Sequence, residues 1–174
     1  MIRSGFKPRC AAEVDDSAQV RLVKIQDIIA ECRYGIHDLS RTESDGEPPL
    51  PRFNMPLELG LFLGAKRYGP RQQTQKRALV LDTQPYRYQR FISDIAGQDI
   101  HAHGGDPVRA AKEVAIWLRQ QSRSTTIPGG ARIGEEFATF SALMSDIIAE
   151  RQLSSDEMTF GDFVELANTY VTGL

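Results

Sequence analysis

Asp38 and Glu58 are the residues whose type and setting point to chemistry. Asp38 follows the short apolar stretch Tyr34-Gly35-Ile36-His37, and Glu58 falls in the first turn of a helix expected to open at Asn54. Leu57 and Leu59 flank Glu58, with Leu61, Phe62 and Leu63 beyond. A helix that is apolar on nearly every side is buried, and a buried carboxylate is costly unless it is paired or used. A carboxylate perturbed in this way and set in a cleft marks a candidate active site. The same position also suits an acid that only faces the positive end of the helix dipole. Both readings follow from the spacing.

Other groups bracket this pair. Arg41 and Arg52 stand at either end of a polar loop, as phosphate ligands or as solvated charges. His37, His101 and His103 invite a metal or acid–base role, and His101-Ala102-His103 can place two rings on one strand face. Satisfied histidines at a strand end are the better reading. Gly104-Gly105 ahead of Asp106 offers backbone N–H groups at a helix start, a weak phosphate signal. Lys66, Arg67, Arg71, Lys76 and Arg77 form a basic cluster without interleaved aromatics, which reads as a solvated rim and not a nucleic-acid surface. The chain carries no zinc-ligand spacing, phosphate loop, GxGxxG fingerprint or Ser-His-Asp constellation.

The elements that must position these groups can be read from periodicity. Gly5 to Ala11 reads as a short strand, and Asp16 or Ser17 as the cap of the next helix. In that helix Leu22, Ile25, Ile28, Ile29 and Cys32 share one face. Tyr34 to Leu39 is a strand, and Arg41 to Pro51, rich in Ser, Asp, Gly and Pro, is a loop. Asn54 is the expected cap of a helix running to about Lys66, with Pro56 in its first turn. Ala78-Leu79-Val80-Leu81-Asp82 is a continuous apolar run, as in a strand covered on both faces. Tyr86 to Ala96 reads as a helix or helical turn, Asp99 to His103 as a short strand, and Asp106-Pro107 as the start of a helix to about Gln121. Strands alternating with helices predict a mostly parallel, doubly wound α/β sheet with right-handed crossovers. In such a sheet ligands bind beyond the carboxyl ends of the strands, which is where Asp38 and Glu58 fall.

After a linker over 122–130 two amphipathic helices follow, marked by Phe137, Phe140, Met144, Ile147 and Ile148, and by Phe160, Phe163, Val164, Ala167, Tyr170 and Val171. Neither can bury its stripe alone, which predicts a helical hairpin over 123–174, separate from an α/β domain over 1–122. The hairpin packs on the sheet domain or on a second copy, making it a candidate homo-oligomer contact.

Length and composition agree with this division. The chain has 174 residues, is 41% hydrophobic and 25% charged, and has a formal net charge of −2. That balance argues against nucleic acid or an anionic membrane as partner. No apolar run approaches the roughly 20 residues that span a bilayer, and no apolar stretch follows the basic residues near Met1 as a secretory signal requires. Cys10 and Cys32 could form one bridge, but the expectation is a cytoplasmic protein with reduced thiols.

Ile36-His37-Asp38-Leu39-Ser40, followed by Asn54-Met55-Pro56-Leu57-Glu58-Leu59-Gly60, with Gly64 and Lys66 beyond, resembles the nucleoside deoxyribosyltransferase and TIR-like superfamily. Its members show an apolar strand ending in Asp-Leu-Ser or Asp-Leu-Thr, then an Asn opening a helix with Glu-Leu-Gly. The stretches Gly5-Phe6-Lys7-Pro8-Arg9-Cys10-Ala11, Glu31 to Asp38, Arg52 to Pro56, Tyr86 to Gln89 and Phe91 to Ile100 resemble a narrower group of uncharacterised bacterial proteins. That likeness covers most of the chain. It implies a flavodoxin-like sheet and makes Glu58 the catalytic residue, acting at the anomeric carbon of a nucleoside or of NAD. Cleaving an N-glycosidic bond builds positive charge on the sugar, which a fixed carboxylate stabilises. Asp38 would then bind a sugar hydroxyl or orient the base, and Asn54, Arg41, Arg52 and Gly60 would line the substrate.

The expected activity is therefore N-glycoside hydrolysis or deoxyribosyl transfer, with no cofactor and with NAD as a potential substrate. Two departures stand out. Gly64 comes one residue early relative to the common Gly-Lys ending. The chain also begins just before the Gly-Phe-Lys-Pro-Arg stretch, so the usual first strand and helix, with a segment like Asn-Cys-Pro-Phe-Asp, are expected to be missing from it. Two other readings accordingly remain. One is a non-enzymatic nucleotide-sensing or protein-interaction module, and the other is an inactive, truncated homologue.

Overall fold

The computed structural model describes residues 1–42, 44–45, 50–150, 152, 154 and 156–174. It is a mixed α/β structure with a small three-stranded parallel sheet and five α-helices among the described residues. The chain forms two compact units, Gln19–Ala110 and a second made of Met1–Ala18 with Ala111–Leu174.

The first unit holds the sheet. Helix α1 (Arg21–Glu31) leads into strand β1 (Tyr34–Asp38). A two-residue antiparallel pair follows, β2 (Ser44–Asp45) with β3 (Leu50–Pro51), inside the segment expected to be a plain loop. Positions 43 and 46–49 of that loop lie outside the described residues. Helix α2 (Asn54–Tyr68) crosses over to β4 (Arg77–Asp82). Two 3₁₀ turns, Arg87–Arg90 and Ser93–Ile95, then join β4 to β5 (Ile100–Ala102). Here the helical-turn alternative at Tyr86–Ala96 holds, and a continuous helix does not form. The sheet order is β1-β4-β5, with both pairings parallel.

Register decides which residues share a face. His37 lies beside Val80 and Val80 beside Ile100, whereas Asp38 lies beside Leu81 and Leu81 beside His101. Side chains alternate along a strand, so these two sets point to opposite faces. The His37 face is the one α2 covers. The His37 ring meets Phe62 edge-on with centroids 5.3 Å apart, and Leu39, Leu59, Val80 and Tyr88 form a buried cluster there. Gly35 permits this approach. A Cβ at Gly35 would fall 2.7 Å from the His37 ring nitrogen Nε2 and 2.8 Å from Phe62.

Three local expectations are corrected. Gly5 to Ala11 is not a strand: a 3₁₀ turn, Ile2–Ser4, opens the chain and no strand is assigned before Tyr34 among the described residues. Pro8 cannot donate to a ladder, and Arg9 instead ties to Glu13 at 2.7 Å. Neither Asp16 nor Ser17 caps α1, which begins after Val20; Asp16 Oδ1 accepts from the Ala18 N–H in a local turn. Asn54 is the first residue of α2 and not its cap, a position held by Phe53 without a side-chain bond. By contrast, Asp106 caps as expected, accepting the Val108 N–H at 2.8 Å where α3 (Pro107–Ser122) begins.

In the second unit, α4 (Gly130–Glu150) and α5 (Phe160–Thr172) bury Phe140, Met144 and Ala167 together, with Ile2, Met158, Leu166 and Tyr170 around them. Phe140 is the centre of this cluster, its ring 5.3 Å from Tyr170 and 5.7 Å from Phe163. Thr159 and Asp162 close a reciprocal capping box at the start of α5. Arg3 joins the chain start to α4 through Glu136 at 2.7 Å.

Candidate functional site

The carboxyl ends of β1, β4 and β5 place Asp38, Asp82 and His103 along one rim of the sheet. Parallel strands put their last residues at the same edge, so three segments distant in sequence converge there.

Asp82 ends the apolar run of β4 and is wholly buried. Its Oδ1 accepts the Arg87 guanidinium Nε at 2.7 Å and the Thr83 N–H at 2.7 Å. Arg87 also donates to the Leu39 carbonyl at 2.6 Å and lies over the Phe91 ring. One guanidinium thus joins the residue after β1 to the end of β4. The turn that presents Arg87 starts at Tyr86, whose φ of 63° is left-handed, a conformation costly outside glycine and asparagine. Asp82 Oδ2 is buried and has no hydrogen-bond partner among the described residues.

Asp38 belongs to the other face. Its Oδ1 accepts the Ser40 N–H at 3.0 Å and lies 3.3 Å from His103 Nε2. His103 is buried, whereas the Asp38 side chain is 41% exposed and open to solvent. Gly104 and Gly105 follow with φ of +67° and +80°, left-handed values that require glycine in both places.

Glu58 sits on α2 and is partly buried. Burial pushes its carboxyl above the ordinary carboxylate range, and the charge of Arg21 at the start of α1 pulls the other way. The helix N-terminus lies toward the carboxyl edge of the sheet, as in any βαβ crossover. Glu58 therefore belongs to the same rim as Asp38. The two carboxylates are not paired across one cleft wall, however. Asp38 turns to the face away from α2 and meets His103, and Glu58 has Arg21 as its charged neighbour.

The remaining sequence candidates are peripheral. Asn54, Arg41 and Arg52 are exposed. Gly60 is exposed too, and open space surrounds the position a Cβ would take, so no close approach there needs glycine. His37 is buried, and neither ring nitrogen has a hydrogen-bond partner among the described residues. Burial lowers its pKa to about 4, which keeps the ring neutral. No group of three or more His, Cys, Asp and Glu residues that could hold a metal occurs among the described residues. No helix among them is long and apolar enough to cross a membrane.

Asp82 and Arg87 escaped the sequence reading. The available signal was a charge closing a fully apolar strand, with an arginine in the following turn; a charge buried at a strand end needs a partner close by. His103 was seen, but its partner Asp38 is visible only once β1 and β5 flank β4. No family model, curated protein or solved structure matches the chain.

Proposed function

We propose that the sheet unit binds a nucleoside or nucleotide at the carboxyl ends of its strands, and that Glu58 acts at the anomeric carbon to hydrolyse or transfer the N-glycosidic bond. The reading includes a flavodoxin-like, doubly wound arrangement for the sheet. It also treats the α4 and α5 pair as a helical hairpin through which copies of the chain assemble. The observation that carries it is Glu58: a partly buried acid at the sheet rim, held above the usual carboxylate range by that burial. The family resemblance of the Asp38 and Glu58 segments supports it.

The chemistry follows from that position. As the base leaves with the bonding electrons, positive charge develops on the sugar ring. The Glu58 carboxylate, ionised, either stabilises this charge or bonds to the anomeric carbon, and water or a second base completes the exchange. Asp38, exposed and fixed by Ser40 and His103, accepts a sugar hydroxyl. The deciding experiment incubates the protein with NAD and with 2′-deoxynucleosides and follows released base by chromatography. Release should occur with the native chain and vanish in Glu58→Gln. Release that persists in the variant removes Glu58 from the reaction.

One observation favours a second reading, binding without turnover. Asp38 and Glu58 belong to opposite faces of the sheet, which suits a recognition rim better than two acids closing on one bond. Saturable calorimetric binding of the same compounds without released base would select it.

A further inference from the structure

We infer that His103 is a positioning residue for Asp38, which it orients through one fixed tautomer so that the second carboxylate oxygen is left for a ligand hydroxyl. The inference rests on the reading that Asp38 takes a sugar hydroxyl, and it assigns the group that prepares Asp38 for that role.

Both nitrogens of the His103 ring are engaged, and the residue is only 5% exposed. Nδ1 accepts the backbone N–H of Gly105 at 3.2 Å. An amide N–H can only donate, so Nδ1 must present its lone pair. The single proton of a neutral imidazole then sits on Nε2. Nε2 lies 3.3 Å from Asp38 Oδ1, the long end of the range, and donates to it. The Ser40 N–H donates to the same oxygen at 3.0 Å. Two donors converge on Oδ1, which fixes the plane of the carboxylate. The side chain is 41% exposed and both donors fall on Oδ1, which leaves Oδ2 as the oxygen for a ligand.

The ring is held in turn by the backbone. The His103 N–H donates to the Asp82 carbonyl and the Gly104 N–H to the Thr83 carbonyl, each at 2.9 Å. These bonds tie the segment after β5 to the end of β4. The left-handed Gly104 and Gly105 then bring the Gly105 N–H back onto Nδ1. With both nitrogens spent in this way, His103 has no lone pair for a substrate proton. Its part is to aim Asp38.

Two near-isosteric variants separate the bonds. His103→Gln places an amide nitrogen near Nε2, keeping the donor to Asp38 and losing the acceptor for Gly105. His103→Asn places an amide oxygen near Nδ1, with the opposite result. The probes are NAD and 2′-deoxyadenosine, titrated calorimetrically into the full chain. Two-bond ¹H–¹⁵N NMR reads the His103 tautomer in the native protein, and circular dichroism checks that each variant is folded. The expected spectrum shows a protonated Nε2 and a bare Nδ1, with an Nε2–H resonance that moves in Asp38→Asn. Affinity should fall about tenfold in His103→Asn, the loss of one hydrogen bond to a charged group, and stay within about twofold in His103→Gln. A proton on Nδ1, or a greater loss in the glutamine variant than in the asparagine variant, overturns the inference. If the native chain binds neither probe, the nucleotide reading fails, and NMR alone decides the positioning role: an Nε2–H resonance indifferent to Asp38→Asn overturns it.

Discussion

At the amino-terminal end of the sheet Lys76 is 2% exposed, and its ammonium donates to the carbonyls of Ile29 and Cys32 at the close of α1. It also lies 4.6 Å from the centre of the Phe62 ring. At the carboxyl end, Arg87 is also largely buried, yet it meets the carboxylate of Asp82 and the Leu39 carbonyl. Both cations clamp segments that are far apart in sequence, but they do so with different partners. A helix ends with unpaired carbonyls and partial negative charge, so Lys76 is satisfied by a backbone that α1 presents in any case. Arg87 needs a second charge, and around it the carboxyl end gathers acids with oxygens left over: Asp82 Oδ2, buried without a partner among the described residues, and Asp38, whose side chain is open to solvent. The amino end spends its buried cation on backbone closure, and the acceptor left over there is a neutral amide, Gln73 Oε1 in the turn before β4, buried without a partner among the described residues. The carboxyl end retains charged acceptors, one of them on a side chain open to solvent, and those are what a ligand meets.

Substitutions can break this contrast. The largest effect is expected from Arg87→Met, which strands the Asp82 carboxylate in the interior. Removing one partner of a buried ion pair costs about 3–5 kcal/mol, readable as a lower urea midpoint. The double variant Asp82→Asn with Arg87→Met should recover part of that loss. A single variant as stable as the native chain would show that the pair is dispensable.

Between the two ends, His37 should make the fold acid-sensitive. Its pKa is lowered from 6.5 to about 4 by burial. The unfolded chain takes up that proton below pH 6.5 and the folded chain does not, so stability is full above pH 6.5. It declines as the pH falls toward about 4. A shift of this size corresponds to about 3 kcal/mol. His37→Phe keeps a ring against Phe62 and removes the proton, so its stability should vary less with pH over this window. Urea titrations at several pH values check this, and parallel curves for the two proteins would refute it.

The smallest of the three effects is expected from Lys76→Met. The stem still packs, but the Ile29 and Cys32 carbonyls lose their donor, at a cost of about 2 kcal/mol. Amide exchange should quicken in the last turn of α1 and leave the turn at Arg87 untouched. Exchange that rises equally at both ends would mean that the two clamps are one cooperative unit, and the contrast would lose its basis.

Local sequence determined a good part of this protein. The apolar run ending at Asp82 and the three- and four-residue spacing in α1, α3, α4 and α5 produce their elements, because each pattern suits its own backbone. Asp106 before Pro107 marked a helix start for the same local reason. Tertiary structure decided the rest. Whether Asp38 or His37 faces α2 depends on the strand pleat and on which side the crossover helix packs, and no local pattern records either. That Arg87 reaches back to Leu39, and that His103 meets Asp38, depends on β1 and β5 flanking β4. Gly5 to Ala11 pairs with no strand among the described residues, and Pro8 within it cannot donate to a ladder. Periodicity is a property of neighbours along the chain, whereas a site is made by residues that meet only when distant segments pair.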